Sequence, residues 1–175
     1  MPLQSWLGGI AINKNFANKP RGMETINIRR ALPSDHSVLT EITKNGKAFW
    51  GYSVEQLKTW ETELTITSKY ISENETYNLV LDNEIIGYYA YIQLGDGHLE
   101  LDHLFLFQKF IGKGFGQLLL TDFLRKAKDL NTIDIILEAD PNAELFYKKF
   151  GFVTYNQRES SIKERFLPLM KLDFK

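Results

Sequence analysis

The run Gly112-Lys113-Gly114-Phe115-Gly116 constrains this chain more than any other stretch, because of what stands on either side of it. Before it, Leu99, Leu101 and the apolar run from Leu104 to Phe107 read as a buried central strand. After it, Leu120, Phe123, Leu124 and Ala127 fall at i, i+3, i+4 and i+7, the period of a helix with one apolar face. Arg125, Lys126 and Lys128 complement the dipole at that helix's C-terminus. A strand that enters a helix through alternate glycines can bring its backbone close to a ligand, and the first-turn N–H groups then offer partners to phosphate oxygens. A tight strand-to-helix turn is the plainer reading of the same run. Two familiar phosphate loops do not fit. A Walker loop needs Gly-Lys-Ser/Thr at wider spacing, and a dinucleotide fingerprint needs glycine at the position of Gln117.

The rest of the chain alternates strand and helix patterns. Ile26 and Ile28 alternate with polar residues, Pro33 closes that strand, and Ser34 or Asp35 is placed to cap a helix running to Ala48. Phe49-Trp50-Gly51-Tyr52 interrupts it, after which Ser53 with Gln56 opens a second helix expected through Leu57, Trp60, Leu64 and Ile66. Tyr77 to Leu81 and Ile85 to Leu94 read as a hairpin about Asp82-Asn83-Glu84, and Gly95-Asp96-Gly97 leads into the central strand. Ile133 to Leu137 is a short strand. Asp140-Pro141 starts a helix that Gly151 ends, and Phe152 to Tyr155 and Leu169 to Phe174 close the fold across the polar stretch Asn156 to Arg165. Interleaved strands and helices predict an α/β (α+β) domain, a mixed sheet with helices on its faces. Residues 23–175 are expected to form one domain, and residues 1–22, ending Lys19-Pro20-Arg21-Gly22, an extension outside it with Met23 as the original start.

Composition excludes several kinds of chemistry. The 175 residues contain no cysteine, which removes thiolate nucleophiles, zinc fingers and iron–sulfur clusters, and suits a cytoplasmic protein. With 21 basic against 22 acidic residues, the net charge of -1 argues against nucleic acid. No apolar run approaches the roughly 20 residues that a membrane helix needs. No metal site is expected. His98 and His103, an odd number apart on one strand, face opposite ways.

Beyond the glycine loop lies a second pattern, Asn142-Ala143 followed by Phe146-Tyr147 and Phe150-Gly151-Phe152. With this pair of motifs the chain resembles the GNAT superfamily of acyl-CoA-dependent N-acyltransferases. The family's Gln/Arg-x-x-Gly-x-Gly/Ala signature aligns with Ile111 to Gly116, and its tyrosine helix with Asn142 to Phe152. Ile111 stands where Gln or Arg is usual and Gln108 where Pro is frequent, so the backbone amides from Gly112 to Gly116 would carry most of a pyrophosphate contact. The resemblance implies a mostly antiparallel central sheet flanked by helices and transfer of an acetyl group from acetyl-CoA to a primary amine. It implies cofactor contacts at Leu104, Leu106, Ile111, Gly112, Lys113, Gly114, Phe115, Gly116 and Asn142.

Such chemistry needs two proton handlers, one for the attacking amine and one for the departing thiolate. Tyr147 is at the family's position for the acid, although Ala143, Phe146, Tyr147 and Phe150 also form a core stripe. For the base, Glu100 and Asp102 share one face of the strand by alternation, and His103 points the other way unless a bulge intervenes. Asn142 either meets the cofactor's pantetheine arm or caps its helix. Phe49, Trp50 and Tyr52 fall where relatives shape the acceptor site, or else pack in the core. A non-catalytic acyl-CoA-binding or sensor module is the alternative, and an NAD-binding oxidoreductase a third reading that the missing glycine disfavours. The acceptor stays open among aminoglycoside, polyamine, amino acid and protein amines, and a homodimer is an open assembly.

Overall fold

The computed structural model describes residues 25–174; the expected extension over residues 1–22, and Met23, lie outside them. Strands β1 (Ile26–Arg30), β2 (Glu75–Leu81), β3 (Glu84–Gly95), β4 (His98–Leu106), β5 (Asp134–Glu138), β6 (Val153–Glu159) and β7 (Phe166–Asp173) form one seven-stranded sheet in the order β1-β2-β3-β4-β5-β7-β6. Every neighbouring pair is antiparallel except β4 with β5. The mixed, mostly antiparallel sheet flanked by helices is therefore as expected.

Helices α1 (His36–Ala48), α2 (Val54–Thr59) and α3 (Ser68–Glu73) precede β2, while α4 (Phe115–Asp129) and α5 (Glu144–Lys148) follow β4 and β5. The sheet has a core on each face. Leu119, Leu120, Phe123 and Ala127 of α4 are fully buried in one with Tyr89, Tyr91, Leu99, Leu101, Ile135 and Tyr147. Leu39 and Ile42 of α1 and Ile71 of α3 meet Tyr88 and Ala90 in the other. Each such Leu, Ile or Phe contributes about 1.5–3 kcal/mol by leaving water, which is what holds short helices to the sheet.

Three local expectations are corrected. The second helix ends at Thr59, not near Ile66, because the chain turns through Trp60 to Leu64 and a new cap forms: Thr67 Oγ1 accepts from the Tyr70 N–H at 3.0 Å and starts α3. Neither Ser34 nor Asp35 caps α1 through its side chain. Pro33–Asp35 is a 3-10 turn, and the Asp35 carboxylate reaches back to the Leu32 N–H at 2.9 Å. The stretch from Asn156 is strand as far as Glu159 rather than a loop.

β4 and β5 run parallel over only His98↔Asp134, Leu99↔Ile135 and Glu100↔Ile136. Beyond Glu100, β4 keeps β3 on one edge and has no strand on the other among the described residues, while β5 continues alongside β7 to Glu138. The sheet is thus split on the C-terminal side of β4.

Candidate active site

The glycine loop sits at the mouth of this split. Gly112 (φ +78°) and Gly114 (φ +89°) take the left-handed conformation, and a Cβ on either would meet no atom of the described residues within 4 Å. Their backbone therefore faces open space. None of the N–H groups from Gly112 through Gln117 finds an acceptor among the described residues, and the first helical bond of α4 runs from Leu118 N to Gly114 O. A row of unpaired donors at the positive end of a long helix is able to accept an anion. Gly116 is held differently: a Cβ there would lie 3.7 Å from both Leu106 Cδ1 and Phe146 Cζ, so the loop, β4 and α5 converge at this point. Leu104 and Leu106 lie on the part of β4 that lacks its second neighbour, whereas Ile111 packs against the core. Lys113 Nζ stands 5.9 Å from the centre of the Phe110 ring.

Tyr147 is 9% exposed, edge-on to Phe146 at 5.1 Å and to Phe152 at 5.8 Å between ring centres. The sequence stripe holds, with Ala143, Phe146 and Phe150 packed on the same core. Its hydroxyl has no hydrogen-bond partner among the described residues. Burial, and then the Asp140 carboxylate, push the phenol well above its ordinary pKa and keep it protonated at neutral pH.

On β4 a bulge does intervene. Ala90 pairs with His103 and Tyr91 with Leu101, which leaves Asp102 as the extra residue. His103 consequently shares a side with Asp102: its Nε2 lies 3.4 Å from Asp102 Oδ2, and its ring stands edge-on to Tyr70 at 5.3 Å. The Tyr70 hydroxyl donates to the same Asp102 oxygen. Glu100 sits at the last β4–β5 pair, and its charge and that of Asp102 both act on Tyr70. Burial and the neighbouring Asp102 and Glu138 charges raise the Glu100 pKa, whereas burial lowers that of His103 against the pull of Asp102. The bulge removes the odd-spacing argument about the two histidines. His98 is bound through Nδ1 to Asp134 Oδ1 at 2.8 Å, at the far end of the strand from His103, and no metal-holding group is found among the described residues.

Asn142 donates both its backbone N–H (3.1 Å) and its side-chain amide (2.9 Å) to Asp140 Oδ1, which makes Asp140 the cap of the turn that leads into α5. Phe49 and Trp50 pack on each other at the surface, 45% and 36% exposed, and neither belongs to the core. Tyr52 turns inward instead. Its hydroxyl donates to Asp140 Oδ2 at 2.8 Å and its ring stands edge-on to Trp60 at 5.1 Å. Burial and then that carboxylate push its pKa up to about 12. Lys47 and Arg165 also bind Asp140, and no sequence pattern points to either, since they lie 93 and 25 residues from it. Tyr70 is a further residue with no sequence-based expectation, because α3 falls between Ile66 and Tyr77, where the sequence pattern assigns no element.

Residues 40–173 match the family model described as an acetyltransferase (GNAT) domain, and the chain belongs to that family of acetyltransferases. Among solved structures it is similar to the PaiA N-acetyltransferase of Thermoplasma acidophilum in complex with coenzyme A. That likeness has 20% identity and TM-score 0.69, covering 86% of this chain and 99% of that one. A GCN5-related N-acetyltransferase of Rhodopseudomonas palustris gives 21% identity and TM-score 0.70 over 86% and 96% of the two chains. The ribosomal-protein-S18-alanine N-acetyltransferase of Escherichia coli gives 15% and 0.65 over 85% and 94%. No curated protein matches the chain. No helix among the described residues is long and apolar enough to cross a membrane.

Proposed function

We propose that the chain transfers an acetyl group from acetyl-CoA to a primary amine by direct attack while both are bound. The observation that carries this reading is the split beyond Glu100, with the unpaired N–H row from Gly112 to Gln117 at its mouth. These donors fit a pyrophosphate, with Lys113 adding charge. The open edge of β4 at Leu104 and Leu106 suits an extended pantetheine arm, as does the Asn142 carbonyl oxygen. The coenzyme A bound to the Thermoplasma neighbour supports the same class of donor.

The donor supplies the thioester, and the chain's residues handle the protons. An amine of ordinary pKa near 10 arrives mostly as ammonium and must lose a proton to attack. Glu100 takes it directly or through a water, with Asp102 and His103 as the adjacent groups able to pass it on. The departing sulfur gains a proton from the Tyr147 hydroxyl. A phenol kept protonated by burial acts as the C–S bond breaks rather than before. Phe49, Trp50 and Tyr52 shape the acceptor side.

Thiol release from acetyl-CoA across a panel of amines, set beside acetyl-CoA binding measured alone, tests this reading. Amine-dependent release is expected. Tight binding with no release on any amine would leave the sensor module, a reading favoured by the apolar Ile111 packed on the core.

A further inference from the structure

Two cations share one carboxylate beside the split. Lys47 Nζ lies 2.7 Å and Arg165 Nη2 3.0 Å from Asp140 Oδ2, and the three side chains are 17%, 15% and 10% exposed. The other oxygen of Asp140 is occupied by Asn142. Formal charges of +1, +1 and -1 leave the group at +1 in a largely desolvated place. A structural tie between α1 and the strand β7 approach would need only one of the cations. A second is costly there unless an anion completes the set.

The surroundings hold the pair in position without neutralising it. Lys47 lies 5.1 Å from the Tyr52 ring centre and 5.3 Å from that of Trp60; Arg165 lies 5.0 and 5.8 Å from the same rings. Arg165 Nη2 also donates to the Tyr52 hydroxyl at 2.5 Å, and Trp60 is fixed by its bond to Ser161 Oγ at 2.7 Å. Arg165 Nε and Nη1 are left without partners among the described residues, and the side chain keeps 15% of its surface exposed. Asp140 follows β5 where that strand has left β4, and its charge is felt at Tyr147. The excess positive charge is therefore next to the reacting centre, on the side of Tyr52.

We infer that Lys47 and Arg165 form a subsite for a carboxylate of the acceptor. The preferred substrates are then amines that carry a carboxylate nearby, such as amino acids and short peptides, and polycationic amines are disfavoured. Nε and Nη1 lie on different edges of the guanidinium, so either one gives a carboxylate a single charge-assisted donor, and Lys47 adds a point charge. This inference rests on the acetyl-transfer reading for the amine, but not for the anion.

The test compares α-amino acids and dipeptides with their carboxamides, and with spermidine, on the wild type, Arg165→Gln, Arg165→Lys and Lys47→Gln. Equilibrium binding to the protein saturated with coenzyme A is measured first, then kcat/KM with acetyl-CoA. Wild type is expected to favour acids over matching amides by roughly tenfold or more and to disfavour spermidine. Arg165→Gln and Lys47→Gln should collapse the acid-to-amide ratio towards one, and Arg165→Lys should retain part of it. Thermal melts accompany each variant; where Arg165→Gln unfolds, Lys47→Gln, which leaves a neutral Arg165–Asp140 pair, carries the measurement. Amides or spermidine bound as well as the acids, or a loss confined to acetyl-CoA binding, would overturn the subsite. An acid preference in binding with no turnover on any amine would retain the subsite while removing the acetyl-transfer reading.

Discussion

His103 and Asp102 are consecutive on one strand, yet their side chains meet on the same side of the sheet, Nε2 to Oδ2 at 3.4 Å. The bulge at Asp102 makes this contact, and it gathers Glu100, Asp102, His103 and Tyr70 on the face of the strand that α1 and α3 cover. Under the proposed acetyl transfer, a proton leaving the amine would find several acceptors within a small volume rather than one.

Glu100→Gln is expected to lower turnover at neutral pH by roughly 10²-fold, with partial recovery as rising pH deprotonates the amine unaided. Because burial and the charges of Asp102 and Glu138 raise the Glu100 pKa, the rate should climb with pH through a value above the ordinary carboxylate range. A pH–rate series on Glu100→Gln, Asp102→Asn and His103→Asn checks this. Loss with His103→Asn alone would make His103 the base.

Tyr147→Phe retains the ring packed on Phe146 and Phe152 and removes a hydroxyl that has no partner among the described residues. The melting temperature should scarcely change, while kcat should fall by roughly 10²-fold or more. An unchanged rate on a productive acceptor would return the residue to the core.

Gly114→Val forces a branched side chain into a backbone at φ +89°, costing about 1–2 kcal/mol in strain, and places it in the open mouth of the loop. Acetyl-CoA affinity, measured by calorimetry, should drop far more than in Lys113→Ala. The reverse order would show that the side chain, not the backbone row, holds the anion.

Gly46 lies on α1 where it crosses β4, and a Cβ there would stand 2.7 Å from Leu106 O and 3.3 Å from Phe105 Cδ1. Alanine gains up to about 1 kcal/mol in helix propensity but meets a backbone oxygen that cannot swing aside. The clash wins, and Gly46→Ala should lose about 1–3 kcal/mol in denaturant unfolding.

Burial works to raise the Asp35 pKa, but Arg29, the Leu32 N–H and Asn78 all donate to its Oδ2 and hold it below the ordinary value. A depressed folded pKa means that the stabilisation is complete above the unfolded value, about 3.9, and is lost as pH falls through the folded one. Asp35→Asn should cost about 1–3 kcal/mol at neutral pH, and its stability should fall less steeply than the wild type's below pH 4.

Elements set by local chemistry were readable from the sequence. Asp82 and Asn83, at φ +48° and +70°, form the two-residue hairpin turn that their types favour, and Ser53 Oγ accepts from the Gln56 N–H as its spacing implies. The apolar stripe of α4 and the left-handed Gly114 at its start were equally visible. What was hidden depends on partners far away in sequence. The bulge at Asp102 is fixed by the register with Tyr91 and Ala90, and the Lys47–Asp140–Arg165 cluster joins three segments that no periodicity connects. The six-residue α3 is too short to show a helical period of its own, and the Thr67 cap that starts it is visible only in the structure.

The brief pairing of β4 with β5 makes the sheet a tuning fork, two prongs joined at a stem. The stem is held by three residue pairs, by the Ile133 N–H to Gly97 O bond at 2.7 Å and by the His98–Asp134 contact, all at the end remote from Tyr70 and His103. Glu100, the proposed base, belongs to the last of these pairs, so the spacing of the prongs and the position of that carboxylate are set together, whereas a change at His98, Ile133 or Asp134 alters the gap without replacing any group to which a proton is assigned.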